Sequence, residues 1–220
     1  DIVGRSAAVI HHYFWWEKVK ILIYGSTYLT EVSCKKIRDK FNLVGYIPSE
    51  NPFIEGNIDL PLVSDPLVCE HDIKLSIQYD KKILDYHNAY NVHTGLLPFW
   101  GGRDLLYHTL KEGEVEQGLT FHKMTGELDR GPIISKMTYP VLPEDSVLEL
   151  YDRQVTIMPG FLCSSLELLQ KLGPDNALKC YTKKPRIFRK KKNIKKEDLA
   201  EYVETGKKLI EAYKSKNKGI

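Results

Sequence analysis

The chain first shows a buried-strand pattern and then a helical one. Val19 to Tyr24 (VKILIY) is a largely apolar run closed by Gly25-Ser26-Thr27, and apolar positions then recur at helical spacing from Leu29 to Phe41. An apolar strand, a glycine turn and a helix open a βαβ unit, because a parallel strand is covered on both faces. Leu43 to Ile47 reads as the second strand, ended by Pro48. Residues 48 to 71, rich in Pro, Asn, Asp and Glu, predict an irregular connection with at most one short helix. Ile73 to Gln78 and Tyr90 to His93 predict two more strands, and Asp104 to Glu112 a short helix. Gly118 to Met124 and Ile133 to Val141 alternate like strands and predict a hairpin around residues 125 to 131. Asp145 to Leu172 is a long amphipathic stretch with Asp145 or Ser146 as N-cap, an expected interruption near Pro159-Gly160, and a stop at Gly173-Pro174. A last amphipathic helix is predicted from Glu197 to Lys214. The order of elements predicts an α/β protein with a mixed sheet after the hairpin and a small helical C-terminal extension. Three segments are expected: 1–17, of uncertain origin; 18–173, the main domain; and 174–220, basic and partly helical.

Composition supports a folded chain and narrows its partners. Of 220 residues 42% are hydrophobic, enough for a sizeable core. The formal charge of +3 comes from 32 Lys+Arg against 29 Asp+Glu, but it is unevenly spread. Lys183 to Lys196 (KKPRIFRKKKNIKK) holds nine basic residues and no acid, which leaves a body with about six excess acids. That segment has three readings: a solvated tail, an anion site using Arg186 or Arg189, or a nucleic-acid stripe. The acidic body disfavours a general nucleic-acid enzyme. The four cysteines are widely spaced with no zinc pattern, so no metal is expected and a reduced, cytoplasmic setting is favoured. No apolar run reaches the roughly 20 residues that cross a bilayer, so no membrane partner is expected.

Candidate chemistry concentrates in two segments, Asn91-Val92-His93-Thr94-Gly95-Leu96-Leu97-Pro98 and Thr120 to Ile134 (TFHKMTGELDRGPII). Asn91 and His93 lie two apart on one strand, so the pleat sends both to one face. Asp129 sits in a glycine-flanked turn from which a carboxylate can reach a neighbouring strand end. An amide donor, an imidazole and a carboxylate supply oxyanion stabilisation, a base near neutral pH, and a group that orients it. No GxSxG elbow is present, so direct acyl transfer between two bound substrates is the expected reaction type. His122 reads as a structural strand residue.

Asn-x-His-x-x-Leu-Leu-Pro, followed about 30 residues later by Gly-x-Thr-x-His and Leu-Asp-x-Gly-Pro-Ile-Ile, resembles the folate-dependent formyltransferases, in order over Val19 to Leu169. The resemblance implies a Rossmann-like core, N10-formyltetrahydrofolate as formyl donor, and Asn91, His93 and Asp129 as catalytic residues. It also implies a donor held by backbone groups at Lys82, Ile83 and Leu84 and in the loop Thr125, Gly126, Glu127, Leu128. Arg103 aligns with an arginine of the sugar-nucleotide members, and Trp100 departs from the usual residue beside it; both are acceptor-binding candidates. Gly25-Ser26-Thr27 lacks the glycine-rich phosphate loop of the ribonucleotide enzymes. The roughly 50 residues after Leu169 are too few and too helical for the barrel of the methionyl-tRNA enzymes. The expected acceptor is therefore a nucleotide-linked amino sugar, such as a dTDP-4-amino-4,6-dideoxyhexose. The alternatives are another amine acceptor, aminoacyl-tRNA or ribonucleotide, and a non-catalytic binding protein using the basic run. A homodimer is an open expectation.

Overall fold

The computed structural model describes residues 19–83, 85–179 and 196–217. The first eighteen residues, Leu84 and nearly all of the basic run lie outside the described residues. Strands β1 (Lys20–Tyr24), β2 (Asn42–Ile47), β3 (Ile73–Ile77), β4 (Ala89–His93), β5 (Glu116–Lys123) and β6 (Ile133–Pro140) form one sheet in the order β2-β1-β3-β4-β5-β6. β1 to β4 are parallel, whereas β5 and β6 are antiparallel, so the expected mixed sheet and hairpin are present. The chain runs from β1 to one side of the sheet and then crosses to the other for β3. That reversal opens a crevice at the carboxyl ends of the strands, where ligands of α/β proteins bind.

The pleat divides this sheet chemically. Ile21, Ile23, Leu75, Ile77, Tyr90, Val92, Leu119 and Phe121 point to one side and join the main core. Helices α1 (Tyr28–Ile37) and α3 (Val147–Leu172) cover that side, with α2 (Leu105–Lys111) beside them. The opposite side is apolar only at β1 and β2, where Leu22 and Tyr24 pack with Ile83, Val63 and Met124. Over β3, β4 and β5 it carries Lys74, Ser76, Asn91, His93, Thr120 and His122, five of them buried. Among the described residues, irregular chain covers this second face. Residues 48 to 71 form no helix; the Asp80 carboxylate instead holds this connection by accepting from the N–H groups of Glu50 and Asn51 at 3.0 and 2.7 Å.

Helix α3 departs from expectation. The sequence predicts a break near Pro159-Gly160, yet one 26-residue helix passes through both. An interior proline costs roughly 3 kcal/mol through its missing N–H and its ring. Leu150, Met158, Phe161, Leu162, Leu166 and Leu169 are all buried along the stripe on both sides of it. At about 1.5–3 kcal/mol for each large apolar side chain, burial outweighs the proline. Ser146 is the N-cap: its hydroxyl accepts from Leu148 N–H at 3.2 Å, and Glu149 reaches back to its backbone N–H at 3.0 Å. After Gly173 come α4 (Pro174–Lys179), a 3-10 turn (Lys196–Asp198) and α5 (Leu199–Asn217). Ala177, Leu209 and Tyr213 from these C-terminal elements lie in the main core. No helix among the described residues is long and apolar enough to cross a membrane.

Candidate functional site

Antiparallel pairing of β4 with β5 aligns the two motifs, placing Asn91 opposite His122 and His93 opposite Thr120. With a period of two, all four side chains share the polar face. The loop after β5 then returns Asp129 to the same place. Asp129 adopts a left-handed backbone conformation (φ 53°), which aspartate tolerates better than most residues. The arrangement is tight: a Cβ on Gly131, two residues on, would sit 1.6 Å from the Lys123 carbonyl oxygen, so only glycine fits.

Hydrogen-bond partners fix the protonation pattern of both histidines. His93 Nε2 lies 2.8 Å from the carbonyl oxygen of Trp100. A carbonyl only accepts, so this nitrogen carries a hydrogen and any exchangeable second proton sits on Nδ1. Nδ1 faces the Asp129 Oδ1 at 3.6 Å. The other carboxylate oxygen accepts from the Gly102 N–H at 2.8 Å, which offsets part of the cost of burying the charge. His122 has the opposite tautomer. Its Nδ1 donates to the Lys123 carbonyl at 3.0 Å, and its Nε2 accepts from the Asn91 amide nitrogen at 3.1 Å. Burial, and secondarily the neighbouring His93, push the His122 imidazole well below its ordinary range, so it stays neutral and remains an acceptor. Asn91 is thereby oriented by one of its two amide hydrogens, leaving the second free to meet a substrate oxygen. It is only half-buried, whereas His93, His122 and Asp129 are buried.

The Leu-Leu-Pro loop is pinned to the same sheet. Thr120 donates its hydroxyl to the Gly95 carbonyl at 2.7 Å and accepts from the Leu97 N–H at 3.0 Å. A Cβ at Gly95 would lie 2.5 Å from the Trp100 carbonyl oxygen and 3.0 Å from His93 Nε2, so a side chain there would part those two atoms. The Gly-x-Thr-x-His pattern thus has a physical meaning. Gly118 admits Leu96, Thr120 holds the loop, and His122 aims Asn91.

The structure brings Asn91, His93 and Asp129 together and adds His122, which the sequence reading assigned to structure alone. The signal was present: the two strand motifs aligned as a hairpin place His122 directly across from Asn91. The donating Gly102 N–H and the accepting Trp100 carbonyl are backbone groups, which side-chain patterns cannot reveal. Trp100 is buried and presents its carbonyl to His93, while Arg103 is exposed. Ile83 is buried in a small cluster with Leu22 and Tyr24, against which Met124 also packs. Lys82, Gly126, Glu127 and Leu128 are exposed, and Thr125 is half-buried. Leu84 lies outside the described residues. No cluster of His, Cys, Asp and Glu suited to a metal occurs among the described residues.

Taken together, the mixed sheet and this site define an α/β fold with a buried imidazole–carboxylate pair. Residues 81–164, which contain the whole site, match the family model described as formyl transferase. That segment is thus similar in sequence to the formyl transferases, and the fold matches theirs. Methionyl-tRNA formyltransferase from Neisseria meningitidis is 31% identical over 93 residues, which are 42% of this chain and 30% of that protein. The chain thus spans about a third of the length of the curated relatives it matches. Among solved structures, the N-formyltransferase from Helicobacter canadensis with folinic acid and dTDP-3-aminofucose superposes with a TM-score of 0.59 at 20% identity, over 68% of this chain and 63% of that one. Phosphoribosylglycinamide formyltransferase from Bacillus halodurans gives 0.59 at 16% identity, over 69% and 96%.

Proposed function

We propose that this chain transfers a formyl group from N10-formyltetrahydrofolate to the amine of a nucleotide-linked amino sugar. The observation that carries formyl transfer is the juxtaposition of Asn91, His93 and Asp129 within the family-matching segment, with a protonation pattern suited to acyl transfer. Bound in the crevice, the donor supplies an activated formyl carbon. Backbone groups of Lys82, Ile83 and Leu84, and of Thr125 to Leu128, would hold it; this is supported by Ile83 and Met124, at the edges of the two segments, belonging to one apolar cluster around Leu22 and Tyr24.

Asn91 donates its second amide hydrogen to the formyl oxygen as negative charge builds there, an effect strengthened where water is excluded. His93 commits its Nε2 hydrogen to Trp100, which leaves Nδ1, facing the Asp129 carboxylate at 3.6 Å, as the ring atom open to proton exchange. In the balanced reaction the acceptor amine gains a bond to the formyl carbon and loses one proton, while N10 loses that carbon and gains one. Nδ1 and the Asp129 carboxylate lie where this proton can be held.

For the acceptor, the sugar reading is supported by the amino-sugar ligand of the Helicobacter canadensis relative and by the exposed Arg103, whose guanidinium suits a diphosphate. A second reading, transfer to methionyl-tRNA, is favoured by the curated relatives and by the basic run. Incubating the protein with formyl donor and, separately, dTDP-, UDP- and GDP-linked amino sugars and charged initiator tRNA, with products read by mass, separates the two. A formylated sugar supports the first, formyl-methionyl-tRNA alone replaces it with the second, and no product from any acceptor overturns formyl transfer.

A further inference from the structure

Residues 78 to 88 carry the chain from the carboxyl end of β3 back to the amino end of the parallel β4, and the described residues among them form no helix. A parallel crossover is usually helical and so satisfies its own backbone groups, whereas an irregular one must find partners elsewhere. At its start Tyr79 meets Tyr24 edge to face, with centroids 5.3 Å apart, and the Asp80 carboxylate accepts from the N–H groups of Glu50 and Asn51. In its middle Ile83 is buried in the cluster with Leu22 and Tyr24. Its far end meets Lys74 of β3.

Lys74 is only 8% exposed, and a lysine is rarely buried unless its charge is paired. Its ammonium pairs with the Asp85 carboxylate and donates to the carbonyls of Asp85 and His87, each at 3.4 Å. Its three hydrogens thus find three acceptors within residues 85 to 87. The second Asp85 oxygen accepts from the His87 N–H at 2.9 Å, and the Lys74 N–H donates to the Asn88 carbonyl at 3.0 Å. Side chain and main chain of one residue therefore fasten the crossover to the sheet, immediately after the segment Lys82 to Leu84.

We infer that Lys74 is a positioning residue for the formyl donor, which rests on the donor segment of the proposed function: by fastening residues 85 to 87 to β3 it sets the backbone of Lys82 to Leu84. Its effect falls on donor binding, because the bonds that set Asn91, His93 and Asp129 come from His122, Trp100 and Gly102. Lys74→Met keeps the aliphatic stem and removes the ammonium, and the largely exposed Asp85 is then taken up by water. Affinity for folinic acid, a stable formyl folate, should weaken on the order of tenfold, and KM for the donor should rise with it, while kcat at saturating donor stays within about twofold. Asp85→Asn changes an exposed position, keeps an oxygen for the His87 N–H and removes the charge from Lys74, so it should weaken folinic acid in the same direction even if Lys74→Met fails to fold. The double variant should bind no more weakly than the weaker single one, since the two side chains act as a unit. Arg38→Gln, which breaks the exposed pair with Asp59, should bind as wild type.

Amide hydrogen exchange gives a second readout that needs no folate. In Lys74→Met or Asp85→Asn the amides of Ile83 and of residues 85 to 88 should exchange faster than in wild type, with those of α1 unchanged. Faster exchange there, together with weaker folinic acid binding at preserved kcat, supports the positioning role. Unchanged exchange, or unchanged affinity in variants of a protein that binds folinic acid, overturns it. A wild-type protein that binds no folinic acid is a different failure: it overturns the donor segment of the proposed function, and the exchange result alone then decides whether Lys74 fastens the crossover.

Discussion

On one face of β1, β3, β4 and β5 the inward side chains are apolar apart from Gln117, which bonds the Thr109 hydroxyl of α2, and helices lie over it; on the other, from β3 onward, the same strands present lysine, serine, asparagine, histidine and threonine under loops. The helix face gains its stability from burial of area, which is non-directional and tolerant of small shifts. Its opposite gains order from directed hydrogen bonds, in which each buried polar group must find a partner. The strands thus serve as a common backbone for two different physical devices. Perturbing one face should change stability, and perturbing the other should change chemistry.

The sharpest separation is expected from Asp129→Asn. Asparagine keeps the shape, tolerates the left-handed backbone and can still accept from Gly102, but it removes the charge facing His93. Turnover should fall by roughly 10²–10⁴-fold, as it should in His93→Ala and Asn91→Ala, while the thermal midpoint of Asp129→Asn stays within a few degrees of wild type. Steady-state kinetics beside calorimetry would check this. An active Asp129→Asn protein would break the comparison.

The reverse result is expected from Leu162→Ala on the helix face. Leu162 is fully buried, so truncation leaves a cavity that costs about 2–5 kcal/mol. At about 2–4 °C per kcal/mol for a domain of this size, the midpoint should drop by several degrees or more. Well below that midpoint, kcat and KM should stay near wild type. Loss of turnover in a protein that remains folded would mean the two faces are mechanically coupled.

Much of the helix face could be read from the chain because burial leaves a periodic trace. Val19 to Tyr24, Ile73 to Gln78 and the stripe from Leu150 to Leu169 carry it in their spacing. The site was partly legible because Asn91 and His93 share a strand and Asp129 a compact motif. What stayed hidden depends on register and on backbone. His122 gains its role only once β5 lies antiparallel to β4, and the groups serving His93 and Asp129 are a carbonyl and an N–H with no side-chain signature. Pro159 misled for a related reason. Its local cost is visible in sequence, whereas the tertiary packing that overrides it is not.

Acid should reveal the polar face in a different way. Burial holds His122 neutral, with a folded-state pKa below its ordinary value near 6.5. Between those two values the unfolded chain binds the proton and the folded one does not, so stability rises with pH through that window. The contribution is complete above about pH 6.5 and is lost as pH falls toward the folded-state value. Urea midpoints measured from pH 7.5 down to pH 5 should therefore decline, and His122→Gln should flatten that part of the curve. An unchanged slope in the variant would mean that His122 does not carry the acid sensitivity.

The smallest expected effect tests how far apart the two devices are. Ser146 caps α3 outside both motifs, and its hydroxyl and backbone close a reciprocal pair with Glu149. Ser146→Ala opens that cap and leaves an N–H of the first turn to water, at a cost of about 1 kcal/mol. That corresponds to a midpoint lower by about 2–4 °C. Because α3 packs on the apolar side of the strands and meets the first motif further along, where Gln154 donates to the Thr94 carbonyl, the spacing of His93, Asp129 and Asn91 should not respond to a change at its first turn. The expected result is a small loss of stability with kcat, KM and the His93 imidazole resonance all as in wild type. A shift in that resonance would show that strain at the end of a 26-residue helix passes through the sheet, and the two faces would then have to be treated as one cooperative unit.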